Sequence, residues 1–187
     1  HPNTTRPFEI CSCNVVSSNI EEAGVTVLKP YLETILPSEP SVKIGIFDQD
    51  GPGKQHYNDL LHFGKEKNGY KKHRNGKAYA MLLPTPPSDD NHWNTRERCI
   101  EFMFPKEYLT DGYVKHEYSK KDGGKYTPAQ AKFLLTRGDL FANEIVHRVK
   151  LKPTKKREFA ETKVPAFPKE AFVNFKPLFD KISSLLP

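Results

Sequence analysis

Residues 42–54, VKIGIFDQDGPGK, constrain this chain more than any other stretch. Val42, Ile44, Ile46 and Phe47 form a short apolar run rich in β-branched residues, the pattern of a buried strand in a parallel sheet. The run stops at Asp48-Gln49-Asp50, and Gly51, Pro52 and Gly53 then break the chain. Tyr57, Leu60 and Leu61 follow at helical spacing. Two carboxylates therefore stand where a core strand ends and a turn begins. In open α/β sheets, ligands bind at that edge, outside the carboxyl ends of the strands. Two acids one residue apart repel each other unless water or a cation neutralises them. Mg²⁺ suits such a place, because it takes a few carboxylate oxygens together with water and phosphate oxygens. An ordinary Asp/Gly turn closing a strand is the bland alternative.

The 187 residues fit one domain, or one with an appendage. Lys and Arg outnumber Asp and Glu by 29 to 23, a balance that suits a polyanionic partner or a merely solvated surface. Cys11, Cys13 and Cys99 are an odd count without a regular framework, which points to a reducing, cytoplasmic compartment. No apolar run reaches the ~18 residues that a membrane span needs, and no signal peptide is visible. The chain starts at His1, so it is expected to be a fragment or a processed product.

Strands are expected over residues 8–16, 42–47 and 78–83. Helices are expected over 23–36, 53–63, 127–135 and 170–186, the last broken near Pro177. Residues 17–22, 84–95 and 111–125 read as loops, and 140–149 as a helix or a strand. Residues 64–77, GKEKNGYKKHRNGK, carry two Asn-Gly steps and read as a basic loop or hairpin. The alternation of strand and helix predicts an α/β fold with a parallel sheet and covering helices.

Several segments, in this order, resemble the Toprim domain of the OLD (overcoming lysogenisation defect) family of ATP-dependent endonucleases. FDQDGPG resembles the DxD motif, and AYAMLLPTP the strand and proline loop after it. IEFMFPKEYL is similar to the family's Ile-Glu motif, and KKREFA to its Lys-x-x-x-Ala segment. The likeness covers residues 8–186. It implies a Toprim-like Rossmannoid sheet over 8–110 and a C-terminal helical extension over 111–187. The Glu-Gly that ends the first Toprim strand has no counterpart here, and neither does the phosphate-binding loop GxxxxGK[ST]. Both are expected upstream or on a partner chain. Without them the chain is expected to be inactive, and ATP would act only through that ATPase.

The resemblance implies cleavage of DNA phosphodiesters with two metal ions ~3.5–4 Å apart, in antiphage defence. Asp48, Asp50 and Glu101 would be the ligands of Mg²⁺ or Mn²⁺. Asp50 as a helix-capping turn residue and Glu101 as an exposed edge-strand acid are the alternatives. Met103 stands where relatives often carry a second polar residue. Lys156 is the candidate catalytic cation, with Lys155 a near-equal choice in a basic run that solvation alone could explain. Lys71, Lys72, Arg74 and Lys77 are the candidate DNA contacts, mostly to phosphate; a solubilising hairpin is the alternative. The expected partners are DNA and the ATPase, in a homo-oligomeric assembly away from membranes. The competing reading is a non-catalytic Toprim-like module that binds nucleic acid or a partner.

Overall fold

A computed structural model describes residues 14–17, 20–85, 99–110, 112–120, 123–136 and 145–186. The chain forms two compact units, His1–Phe47 with Pro52–Leu82, and Asp48–Gly51 with Leu83–Pro187. Both combine helices with small sheets. Among the described residues no helix is long and apolar enough to cross a membrane.

In the first unit, β1 (Asn14–Ser17) and β2 (Ile20–Ala23) pair antiparallel. A loop was expected at 17–22; the register instead runs on from Ser17 opposite Ile20 to Asn14 opposite Ala23. Residues 8–13 of the first expected strand, with Cys11 and Cys13, lie outside the described residues. Helix α1 (Val25–Glu33) follows Gly24, whose φ of 80° suits glycine, and it contains Pro30 in its interior. Strand β3 (Lys43–Phe47) pairs in parallel with β5 (Ala78–Leu82), and β4 (Lys71–Lys72) adds antiparallel to β5, giving the order β3-β5-β4. Parallel pairing is confined to β3 and β5 among the described strands.

Gly45 and Phe47 face inward from β3. A Cβ on Gly45 would overlap the Leu32 side chain, so α1 sits on β3 at a distance only glycine permits. Leu32, Ile35, Phe47, Tyr57, Leu60, Phe63, Ala78 and Ala80 form the core of this unit. Helix α2 (Gly51–Asn58) ends earlier than its apolar spacing predicts. The Lys71 ammonium takes the carbonyls of Tyr57 (2.8 Å) and Asn58 (3.2 Å), satisfying acceptors that a helix end leaves open. The basic segment turns at its Asn-Gly steps: Asn68 and Gly69 have φ of 54° and 74°, and Lys67 and Tyr70 exchange backbone hydrogen bonds across them. At the second step, Asn75 donates to the Ile35 carbonyl (2.7 Å) and accepts from the Lys77 N–H (2.9 Å).

In the second unit, residues 111–187 were expected to be a helical extension with a loop at 111–125 and a helix or a strand at 140–149; they contain a three-stranded antiparallel sheet. Strands β6 (Val114–Lys120), β7 (Lys125–Tyr126) and β8 (Ile145–Leu151) lie in the order β7-β6-β8. Its central strand β6 falls in the expected loop 111–125. It is mostly polar, and seven register pairs with distant β8 hold it extended. Residues 86–98 and 137–144 lie outside the described residues. Helix α3 (Pro128–Thr136) begins as its sequence predicts, with the Thr127 hydroxyl accepting from the Gln130 N–H (3.2 Å). Short helical turns fill most of 153–175, and α4 (Lys176–Leu185) closes the described chain. Ile100–Met103, a candidate edge strand, is instead a turn of 3₁₀ helix. That winding buries Met103 and Phe104 together. Phe104 then packs against Phe159, Phe167, Phe172 and Phe175, with ring centres 4.9–5.8 Å away.

Candidate metal centre

Asp48 is the first residue after β3, and Asp50 immediately precedes α2. The division between the units falls after Phe47 and places both in the second unit. The Gln49 side-chain amide between them donates to the Leu83 carbonyl. Asp48 Oδ1 accepts a hydrogen bond from the Ile100 N–H (3.1 Å). That bond fixes the start of the 3₁₀ turn beside the two acids. Cys99, extended just before this turn, brings its thiol to them. One ligand atom from each of Asp48, Asp50 and Cys99 lies within 4.8 Å of the other two. Among the described residues this is the only such group of three.

Glu101 stands in the first turn of the same 3₁₀ helix. It is not a member of that triad. Its Oε1 lies 3.5 Å from the Lys156 ammonium, and only 16% of its side chain is exposed. Lys156 opens the single α-turn Lys156–Glu158, which aims it at Glu101. Lys155, one residue earlier, turns instead to Glu158 at 2.6 Å on the surface. The two adjacent lysines are thereby separated: Lys156 joins the acidic group and Lys155 does not.

The electrostatics follow from this crowding. Burial pushes the Asp48 carboxyl up to about 6, and the negative charges of Glu101 and Asp50 add to the effect. The Ile100 N–H and the Lys156 ammonium pull the other way. Burial, then the Asp48 and Glu101 charges, push the Cys99 thiol up to about 12, so it is protonated at neutral pH. Desolvation works against the charge on Lys156, but Glu101, Cys99 and Asp48 outweigh it and hold its pKa above the usual lysine value. The charges of Glu101 and Asp50 thus crowd Asp48, and a divalent cation would relieve that repulsion.

Sequence reasoning named Asp48, Asp50, Glu101 and Lys156, and the structure gathers all four. It missed Cys99, a lone thiol whose only signal was its position two residues before Glu101. The candidate DNA contacts lie in the first unit. Lys71 is occupied: besides its two carbonyl bonds, its ammonium sits 4.6 Å from the centre of the Tyr57 ring. Lys72 is exposed, 5.5 Å from the centre of the Tyr79 ring, and Arg74 is exposed with its backbone bonded to the His62 carbonyl. Lys77 is half-buried, and its carbonyl accepts from the Lys43 N–H (3.0 Å). Lys71→Ala is accordingly expected to cost about 1–2 kcal/mol in urea unfolding. An unchanged urea midpoint together with weakened DNA binding would return Lys71 to the interface.

Comparison with protein-family models, curated proteins and solved structures finds no match to this chain.

Proposed function

We propose that this chain contributes the metal-dependent catalytic part of a DNA endonuclease related to the Toprim domain of the OLD family, acting with an ATPase in defence against mobile DNA. The observation that carries this reading is the meeting of Asp48, Asp50, Glu101 and Lys156 in one unit. Their positions in the sequence follow the order of the Toprim-like motifs.

The donor set fits the proposed ion. Asp48 and Asp50 offer hard oxygen ligands suited to Mg²⁺ or Mn²⁺, and the protonated Cys99 thiol competes poorly with them. When bound, a divalent ion there would supply an activated water and charge stabilisation at the phosphoryl group. The protein's own residues do the rest. Asp48 and Asp50 hold the cation. Glu101 orients Lys156, and the Lys156 ammonium stabilises the charge that develops on the phosphoryl oxygens. Lys72, Arg74 and Lys77 contribute phosphate contacts that tolerate any sequence. The missing Toprim glutamate, and any use of ATP, come from an ATPase partner or region within a homo-oligomeric, cytoplasmic assembly.

The test is plasmid nicking by the protein together with its ATPase, titrated with Mg²⁺ or Mn²⁺. Asp48→Ala/Asp50→Ala is expected to lose nicking and keep DNA binding. Cation-dependent nicking that survives in the double variant would overturn the proposal. Unchanged biological activity in that variant would leave only a binding module.

A further inference from the structure

The three-stranded sheet of the second unit has two unlike faces. Val114, Val149 and Leu151 lie on one and are 2–5% exposed. Strand alternation places Lys115, Glu117 and Ser119 of β6 on the other. The register sets Lys115 opposite Lys150, Glu117 opposite Arg148, and Ser119 opposite Lys125 of β7. The side chains of Lys115 and Lys150 are 62% and 51% exposed, and Lys125 is exposed as well.

This placement runs against sheet stability. Like charges directly opposite each other on paired strands are unfavourable. Glu117 holds the Lys115–Lys150 pair together, 3.1 Å from the Lys115 ammonium and 3.2 Å from that of Lys150. Both lysines hold Glu117 below the usual carboxylate range. Lys115, Lys125 and Lys150 therefore stand on one sheet face, with Glu117 between two of them, in a chain of net charge +6.

We propose that the Lys115–Lys125–Lys150 face of this sheet binds the phosphodiester backbone of nucleic acid. The occupant follows from charge complementarity: a row of cations held in register by strands matches a regular row of phosphates. Among the described strand residues no aromatic stands on the face, so binding proceeds through phosphates rather than stacked bases and is indifferent to sequence. The surface is separate in sequence from the basic hairpin at 64–77. It does not depend on the metal centre, and its binding persists in EDTA.

The test compares Lys115→Gln/Lys125→Gln/Lys150→Gln with a control of equal charge change, Lys132→Gln/Lys163→Gln/Lys169→Gln, on short duplex and single-stranded DNA in EDTA. The sheet variant is expected to bind at least about 10-fold more weakly, and its salt slope to fall by roughly 2–3. The control is expected to stay within about 3-fold of wild type. Glu117→Gln removes the acid between Lys115 and Lys150 and is expected to tighten binding severalfold; it decides the matter if the triple variant fails to fold. Whichever DNA form shows the larger loss is the preferred substrate of the face. Equal losses in the sheet and control variants, or no tightening by Glu117→Gln, would overturn the proposal. So would equally tight binding of polyglutamate, which would make the face a site for acidic protein.

Discussion

Replacing Asp48 with Asn is expected to make the metal-free protein more stable while removing its response to divalent cations. The carboxyl is half-buried and faces Glu101 and Asp50, so its ionised form is disfavoured in the folded chain. A pKa moved from its ordinary value of 3.8 to about 6 would carry about 3 kcal/mol at full burial. Screening of this partly exposed group reduces that to roughly 1–2 kcal/mol. Asn keeps the acceptor for the Ile100 N–H and removes the charge. Nicking by the assembled protein is expected to fall by about 10²–10⁴, in line with the loss of groups that position the reacting charge. A purely structural acid would behave in the opposite way, since its loss would lower stability.

The pH dependence carries a definite sign. The folded chain holds the Asp48 proton more tightly than the unfolded chain does. Stability is therefore gained as pH falls through about 6 toward the ordinary value of 3.8, and the full cost of the buried charge is present above about 6. Glu117, held low by Lys115 and Lys150, works in the opposite direction at acid pH, so the informative quantity is the difference between wild type and Asp48→Asn. That difference is expected to be near zero at pH 4, to grow to pH 6 and to stay level above it. Saturating Mn²⁺ should abolish it at pH 7 by stabilising the wild type alone. Thermal melts with EDTA and with Mn²⁺ across this pH range would show it. A difference that is flat with pH would mean that Asp48 does not titrate in this environment.

The residues that announced themselves in the sequence were those whose signal is local. Asp48 and Asp50 end an apolar run, and that run does pair in parallel with β5. The Asn-Gly steps turn because both residues of Asn68-Gly69 adopt positive φ, a property of the dipeptide itself. What stayed hidden depends on distant partners. Strand β6 alternates lysine, histidine, glutamate and tyrosine, a pattern that supports a strand only once β8 is in register beside it. IEFMF could be extended or wound, because so short an apolar run fits either period. The aromatic packing around Phe104, drawn from residues 159–175, favours the wound form. Cys99 carries no pattern at all, and only the fold shows it beside two acids.

The choice between Lys155 and Lys156 is the case in which geometry decides what sequence leaves open, and it sets the second large effect. Neighbouring residues in a helical turn point about 100° apart. Lys155 reaches forward to Glu158, and Lys156 therefore points to Glu101. Lys156→Ala is expected to slow nicking by about 10²–10³, because an ammonium in a partly desolvated site stabilises developing phosphoryl charge far more than one in water does. Lys155→Ala, which loses only a surface ion pair, is expected to remain near wild type. Binding of DNA without metal should change little in either variant. A further readout separates chemistry from scaffolding: Lys156 lowers the pKa of Asp48, so its removal should move the acid limb of the pH–rate profile of the residual activity upward. Lys156→Arg keeps the charge and should return that limb toward its original position even where the rate is only partly restored. Equal rates for Lys155→Ala and Lys156→Ala, with an unmoved acid limb, would remove Lys156 from the reaction and leave its contact with Glu101 as a structural ion pair.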